Sequence, residues 1–295
     1  MKRRAFILAA FLSCALITFA QWRGGRGGGR GGGRGGWGES YIPDSARTAR
    51  EVQSHSTGTP NWSNPKEFEH DVFTFVRVRR DRAPWTRGAP WSTDAPDSDL
   101  NLSYRLQQMT SMKVDPNGRF LRLTDPDLSK YPFIYMVEPG SLSLQPDEIV
   151  ALRSYLLNGG FLMLDDFWGE DEWDNAEAVL REVLPGRKYQ ELSLDHPLYH
   201  CVFEIKTKGQ VPNVHLGEMS EFDPEHRTWE RPDAMEVHHR AWFDDQGRMM
   251  IIATHNTDNG DGWEREGESD YYFHNFSEKI SYPLGINIIF YAMTH

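Results

Sequence analysis

The chain has 295 residues, a formal net charge of −11 at neutral pH and only two cysteines, Cys14 and Cys201. This acidic balance argues against nucleic acid and anionic lipid as partners, because both are themselves negatively charged. Two cysteines, one of them in an N-terminal apolar segment, exclude a disulfide-stapled scaffold, and a chain of this length can bury an adequate core without one.

The N-terminal segment has the pattern of an export signal. Three basic residues precede an apolar run from Ala5 to Ala20, which is short for a membrane span and ends in the small-residue pattern of a cleavage site. The sequence therefore predicts a signal peptide at residues 1–20, a mature chain beginning at Gln21, and a periplasmic or extracellular protein. An uncleaved membrane anchor and a lipoprotein attached through Cys14 remain alternatives. Apart from such an N-terminal attachment, no membrane association is expected.

Residues 21–38 form an Arg/Gly-rich segment that has no side chains to build a core. Arg-Gly repeats occur in RNA-binding segments, where guanidinium groups stack on bases, so an Arg-Gly nucleic-acid binder is one alternative. Behind an export signal, the same composition favours a flexible linker. Residues 39–70 are polar and rich in Pro, Ser, Thr and Asn, which predicts an N-terminal arm before one α/β domain at residues 71–295.

Strand and helix patterns alternate along residues 71–295. Apolar runs predict strands at Asp71–Arg80, Phe120–Leu123, Phe133–Val137, Phe161–Leu164, Tyr189–Leu194, Cys201–Ile205, Val237–Phe243 and Met249–Thr254. Helical spacing predicts helices that carry the apolar faces Leu102 to Met109, Ile149 to Leu156, Ala176 to Val183 and Leu284 to Met293. This alternation predicts a mostly parallel, doubly wound α/β sheet with added antiparallel strands.

Two of these strands and the helix between them have well-marked boundaries. Pro146 suits the first turn of the helix, and Gly159 can adopt the left-handed conformation that ends it. Asp165 and Asp166 then follow the second buried strand and open an acidic loop. Open α/β sheets bind ligands at the carboxyl ends of their strands, so the sequence predicts a site here.

Several ordered motifs resemble one prokaryotic family. YPFIYMVEPGSLSL, LRSYLLNGGFLMLDDFWG, LDHPLYHCVFEI and HNTDNGDGWE look like the family called domain of unknown function 4159 (DUF4159), over roughly Asp71 to His295. The resemblance implies a flavodoxin-like fold similar to class I glutamine amidotransferases, and no established activity. Those enzymes place their nucleophile on a glycine-flanked elbow between strand and helix. Cys201 lacks such glycines, which argues against glutamine hydrolysis.

Three polar clusters are candidate ligand-binding sites. They contain, in chain order, Asp165, Asp166, Trp168 and Glu170; then Asp195 and His196; and then His255, Asn256, Asp258, Asp261 and Trp263. Since two clusters follow strands of one predicted sheet, we expect their side chains to converge on an acidic cleft. The same acids also suit helix caps and turns.

Two chemistries suit such a cleft. The side chains of Asp166, His196, His255 and Asp258 offer the oxygen and nitrogen ligands of a divalent metal, although their spacing matches no recognised pattern. Tryptophans beside carboxylates are typical of carbohydrate sites, although core packing explains them equally well.

The leading hypothesis is an exported, non-catalytic binding domain on a degenerate amidotransferase-like scaffold in the cell envelope. Its ligand or partner would be a small molecule, a carbohydrate or an envelope protein. The alternative is a metal-assisted hydrolase or carbohydrate-active enzyme. Carboxyl and imidazole groups within about 5 Å of a common point would favour the enzyme.

Overall fold

The computed structural model describes residues 42–68 and 71–295. The predicted signal peptide, the Arg/Gly-rich linker and the first residues of the predicted arm lie outside the described residues. Within the described ranges, every helix is too short or too polar to cross a lipid bilayer.

A seven-stranded sheet forms the centre of the domain. Its strands are β1 (Val76–Val78), β2 (Arg119–Leu121), β3 (Phe133–Val137), β4 (Phe161–Asp165), β5 (Gln190–Glu191), β6 (His238–Phe243) and β7 (Met249–His255). They lie in the order β2-β1-β3-β4-β7-β6-β5. The first five strands in this order are mutually parallel. Strand β6 pairs antiparallel with β7, and β5 pairs antiparallel with β6. The predicted α/β class is confirmed. The order of the parallel strands is that of flavodoxin-like sheets, whose topological switch point lies between β1 and β3.

Helices cover both faces of this sheet. They are α1 (Asp97–Met109), α2 (Pro146–Leu157), α3 (Gly169–Val183), α4 (Val214–Ser220), α5 (Asn259–Glu264), α6 (Asp270–Tyr272) and α7 (Tyr282–Thr294). A π-helix at Phe273–Ser281 joins α6 to α7. Single helical turns lie at Ala49–Glu51, Lys66–Phe68, Pro90–Ser92, Leu128–Lys130, Pro139–Ser141 and Pro197–His200.

Two apolar layers follow from the alternation of side chains along the strands. In β3, Phe133 and Tyr135 pack with α1 and α7, whereas Ile134 and Met136 pack with α2 and α3. All five residues of β3 are buried, as expected for a strand covered on both faces. The central strands therefore lie between two apolar layers, and a site can form only at their ends.

Helix α2 begins and ends where the sequence predicts. Pro146 is its first residue, and the backbone N–H of Gln145 donates to Glu148 Oε2 at 2.9 Å, which is half of a capping box. Gly159 has φ +107, so the glycine provides a backbone conformation that other residues resist.

Three strand predictions were too long or wrong. Only Val76–Val78 of the first predicted strand and Gln190–Glu191 of the fifth are paired in the sheet. The segment Cys201–Ile205 forms no strand. There the Asn287 side chain accepts from the amides of Val202 and Phe203, at 3.2 and 2.8 Å, and so takes the role of a neighbouring strand.

Two polar stretches that follow strands are helical, the first of them predicted to be a loop. The acidic stretch after β4 is the start of α3, where the Trp168 amide donates to Glu172 Oε2 at 2.7 Å and acidic residues occupy the positive helix end. The glycine-containing stretch after β7 is α5, capped by Asp258, which accepts from the Asp261 amide at 2.8 Å. In both, capping carboxylates outweigh a composition that is typical of turns.

We predict that Gly159→Val lowers the free energy of unfolding by about 1–2 kcal/mol, because valine would have to keep a positive φ. A β-carbon at this position meets no atom within 4 Å, so backbone strain is the whole cause. Urea denaturation measures the change. Gly159→Asn serves as the matched control and should cost less, since asparagine tolerates positive φ. Equal stability of the valine variant and the wild type would contradict this explanation.

Candidate functional site

Four polar residues with left-handed backbones lie at the carboxyl edge of the parallel sheet. Glu138, Asp166 and Asn256 directly follow β3, β4 and β7, with φ of 49, 57 and 62, and Asp94 in the loop after β1 has φ 63. Positive φ is uncommon outside glycine, and such strained positions cluster at functional sites. The sheet edge next to the switch point is therefore the candidate functional site.

Asp165 is the structural carboxylate of this edge. It is fully buried, and its Oδ1 accepts from Thr254 Oγ1 at 2.5 Å and Asn259 Nδ2 at 2.8 Å. Its Oδ2 accepts from Tyr135 Oη at 3.1 Å and from the Gly260 amide at 3.0 Å. Four donors from β3, β7 and α5 thus surround one carboxylate.

Asp166 points elsewhere, as expected for successive residues at a strand end. It is half-buried, and its Oδ1 accepts from Trp168 Nε1 at 3.1 Å. The stretch after β4 is helical, and Asp165 binds the start of α5.

Asp166 meets two other carboxylates at the sheet edge. One oxygen each from Asp94, Asp166 and Asp258 lie within 4.8 Å of one another. Asp94 Oδ2 is out of contact with solvent and has no hydrogen-bond partner among the described residues. It lies against Gly260, where a β-carbon would be only 2.2 Å away. We name Asp94, Asp166 and Asp258 the carboxylate triad.

A second acidic group shares Asp94 with Asp261 and Glu264. Here Arg265 and His55 lie beside the acids. Arg265 Nε lies 3.4 Å from Asp261 Oδ1 and 2.7 Å from Glu264 Oε2, and His55 Nδ1 lies 3.0 Å from Glu264 Oε1. Asp261 Oδ2 also accepts from the Val214 amide at 2.6 Å. This group therefore behaves as an ion-pair network that joins the arm and α4 to the sheet edge.

The pKa values of the triad are raised well above the ordinary value for aspartate. Burial is the main cause for each of the three carboxyls. Neighbouring carboxylates add to it: Glu138 and Asp94 raise the pKa of Asp166, and Asp166 and Asp94 raise that of Asp258. Buried like charges either keep protons or take up a cation. Carboxylate oxygens are the ligands that Mg²⁺, Ca²⁺ and Mn²⁺ prefer.

A buried arginine on β1 positions Asp94. Arg77 makes an ion pair with Asp99 at 2.6 Å and donates to the carbonyls of Trp91 and Thr93 at 3.2 and 2.7 Å. Asp99, in the first turn of α1, is the counter-charge of Arg77. The loop that carries Asp94 is thus held to the strand beneath it by several charge-assisted bonds.

The structure does not bring the predicted histidine ligands to the triad. His196 packs 5.3 Å from the ring of Tyr291, and its Nδ1 accepts from the Leu198 amide, so it caps a turn. His255 Nε2 lies 3.0 Å from Gly169 O and its Nδ1 faces Arg240. Burial lowers the pKa of His255 to about 4, so it is neutral at physiological pH.

The other predicted site residues are exposed, bonded to the backbone or packed in the core. Asp195 and Glu170 are exposed, and Asn256 accepts from the Gly169 amide at 2.8 Å as a clamp between strand ends. Trp168 and Trp263 are buried, and Trp263 lies 5.8 Å from the ring of Tyr135 in the core. Core packing therefore accounts for the tryptophans beside the acids.

Sequence reasoning missed Asp94 and Glu138. Asp94 lies in a Pro- and Trp-rich loop just before the acids of α1, so it resembles part of a helix cap. Glu138 follows β3 within the motif MVEPG. A usable signal existed for Glu138, since it directly follows β3 at the β1/β3 switch point, where flavodoxin-like sheets bind ligands.

These features define an α/β domain with a flavodoxin-like strand order and a buried carboxylate site at the carboxyl edge of its sheet. The chain belongs to the family described as Domain of unknown function (DUF4159), whose model matches residues 74–293 and thus includes the whole triad. No curated protein matches the chain.

We predict opposite effects for Asp165→Asn and Asp166→Asn. The first should lower the free energy of unfolding by about 1–3 kcal/mol, because an amide group would face donors that the carboxylate satisfied. The second should leave stability unchanged or raise it, because it relieves repulsion and asparagine tolerates positive φ. Thermal and urea denaturation of both variants test this. Similar destabilisation by both would contradict the division of roles.

Proposed function

We propose that the domain binds a divalent cation through the carboxylate triad and that the cation holds an oxygen-bearing ligand at the sheet edge. One observation carries this proposal: oxygens of Asp94, Asp166 and Asp258 lie within 4.8 Å of one another. Ligand oxygens around one Mg²⁺ or Ca²⁺ are at most about 4–5 Å apart, because each is about 2.0–2.6 Å from the ion. The triad has this spacing.

The ligand's chemistry follows from the coordination that three aspartates leave open. Mg²⁺ takes six ligands and Ca²⁺ six to eight, so several positions remain for water or for oxygens of a bound molecule. Carboxylate, phosphate and vicinal hydroxyl groups supply such oxygens. A small molecule or carbohydrate is the ligand class that this arrangement favours, and the acidic net charge argues against nucleic acid.

We further propose that this binding is non-catalytic and takes place in the cell envelope. The basic and apolar N-terminal segment supports export. Asp166, an acid already engaged with Trp168, occupies the position after β4 where an amidotransferase-like enzyme would carry its nucleophile.

Metal-assisted hydrolysis is the second candidate, and one observation favours it. Glu264, whose pKa burial raises well above its ordinary value, belongs to the second acidic group, which shares Asp94 with the triad. A carboxyl that keeps its proton beside a metal-bound oxygen has the property that a general acid needs. Cation-dependent turnover of an ester or glycoside by the purified protein would decide in favour of the enzyme.

We predict saturable binding of Mg²⁺, Ca²⁺ or Mn²⁺ to the mature protein, measured by isothermal titration calorimetry after chelator treatment. Asp94→Asn and Asp258→Asn should each weaken binding by at least about tenfold, since they remove a charged ligand. Asp195→Asn is the matched control, because it removes an exposed carboxylate outside the triad, and it should bind as the wild type does. Wild-type affinity in both triad variants would refute the proposed site.

We predict that the cation-free protein loses stability as the pH rises from about 4 towards neutrality. The triad carboxyls titrate near pH 3.9 in the unfolded chain and well above that value in the fold. In this range the folded state therefore binds more protons, so the free energy of unfolding falls with rising pH.

Saturating divalent cation should reduce this loss, because it takes the place of the protons and stabilises the state that binds it. Thermal denaturation across the pH range, with chelator and with cation, measures both effects. Curves that coincide with and without cation would contradict the prediction.

A further inference from the structure

An open groove with apolar and aromatic walls lies between α4 and residues 222–232. Its volume is about 910 Å³, and we name it the α4 groove. Met219 and Phe222, two of its lining residues, leave 55% and 82% of their surface exposed. Pockets of roughly 300–1,000 Å³ are typical of sites for organic ligands, and exposed apolar surface around such a pocket marks a binding site.

Trp229 is the lining residue whose position the fold does not explain. It is partly exposed, and no apolar cluster of the core includes it. Among the described residues, its ring packs on no other aromatic ring and its Nε1 has no hydrogen-bond partner. Tryptophan supplies a large apolar ring face and one N–H donor, and both are open to a ligand here.

The chain is anchored on both sides of Trp229. Thr228 Oγ1 donates to Gln210 Oε1 at 2.7 Å, and Gln210 Nε2 donates to the carbonyl that follows β7 at 2.8 Å. On the other side, Glu230 Oε1 accepts from the backbone amide and the Nδ2 of Asn213, at 2.9 and 2.7 Å. The backbone beside the ring is therefore held before a ligand arrives, which lowers the entropic cost of binding.

Hydrogen bonds connect the α4 groove to the carboxylate triad. The residue after Asn213 donates its amide to Asp261 Oδ2 at 2.6 Å, and the Asp261 amide donates to Asp258 Oδ1 at 2.8 Å. The charge of Glu230 also raises the pKa of Asp166 and of Asp258, as expected for neighbouring carboxylates. The α4 groove and the triad are therefore neighbours.

The charges of the α4 groove favour a neutral ligand. Arg227 Nε lies 2.5 Å from Asp223 Oδ2, and Arg231 pairs with Glu172, so both arginines of the lining already have acidic partners. Glu230 uses Oε1 for its two hydrogen bonds, and its Oε2 has no partner within the part of the chain that the structure describes. A ligand hydroxyl can donate to this oxygen, whereas an anionic group would be repelled by it.

We infer that the α4 groove binds a neutral carbohydrate, which stacks a sugar ring on Trp229, donates a hydroxyl to Glu230 and places other hydroxyl oxygens on the cation at the triad. The inference rests on the proposed function, because the cation is part of the site. A sugar ring combines an apolar C–H face with hydroxyl groups, so one molecule suits the aromatic wall, the acceptor and the cation.

The test measures the binding of maltotriose, cellotriose and mannotriose to the mature protein by isothermal titration calorimetry. Each trisaccharide is titrated with Mg²⁺ and Ca²⁺ in excess, and again in chelator. At least one of them should bind saturably with the cations and at least about tenfold more weakly in chelator, because the contacts to the cation are lost.

Trp229→Ala should weaken trisaccharide binding by at least about tenfold, because it removes the stacking surface. Trp229→Phe keeps a flat ring and should restore most of the affinity. Trp85→Ala is the matched control, since Trp85 is 65% exposed and does not line the α4 groove, and it should bind as the wild type does.

Cation binding to the same variants separates this inference from the proposed function. Trp229→Ala should bind the cation as the wild type does, because Trp229 is outside the triad. A wild type that binds the cation but none of the three trisaccharides would overturn the inference and leave the proposed function standing. Wild-type trisaccharide affinity in Trp229→Ala would do the same.

The comparison of cation with chelator uses the wild type alone, so it decides the question even if Trp229→Ala does not fold. Equal trisaccharide affinity in both conditions would overturn the inference. A wild type that binds no divalent cation would refute the proposed function, and the shared site would be refuted with it.

Discussion

The buried carboxylate of Asp165 is the interaction on which the rest of the carboxyl edge depends. Its four donors come from Tyr135 on β3, Thr254 on β7, and Asn259 and Gly260 at the start of α5. Burial raises its pKa, and the hydrogen bonds oppose that rise by favouring the charged form. Because α5 begins at this carboxylate, the positions of its cap Asp258 and of Asp261 follow from the same contact. A charge that is costly to bury thus fixes where the other charges lie.

The surrounding acids divide according to what compensates them. Asp99 pairs with Arg77 at 2.6 Å, and Glu264 has the guanidinium of Arg265 beside it at 2.7 Å. The strongest charge effects on Asp166 and Asp258 come instead from other carboxylates. Keeping such groups ionised without a counter-charge is costly, which is the physical reason for proposing a cation at the triad and not at the second group.

The sequence could predict those parts of the molecule in which local pattern and tertiary structure agree. β3, α2 and β4 lie within a residue or two of their predictions, because continuous apolar runs, Pro146 and Gly159 each allow few alternatives. Predictions failed where a distant side chain decides the local structure. Asn287 satisfies the amides of Val202 and Phe203 from α7, and nothing in the CVFEI segment indicates that it will do so.

The candidate site was predictable as a place but not as a set of residues. The apolar pattern of the sequence predicts where strands end at the edge of the sheet, and Asp166 and Asp258 were found because they follow such strands. Asp94 could not be found in this way, because its position depends on Arg77, which binds two carbonyls of the loop that carries Asp94. His255 shows the converse error. A histidine at a strand end suits a metal site, but here it packs between Phe167 and Trp173 and bonds to Gly169 O.

The backbone at the strand ends explains how acidic side chains come together at the edge of the sheet. A left-handed residue directly after a strand turns the chain sharply and lets its side chain point over the sheet edge. Aspartate and asparagine adopt this conformation at lower cost than most residues, because their short polar groups can bond locally. Asp94, Asp166 and Asn256 use this property. The sharp turns therefore bring carboxylates together at this edge of the sheet.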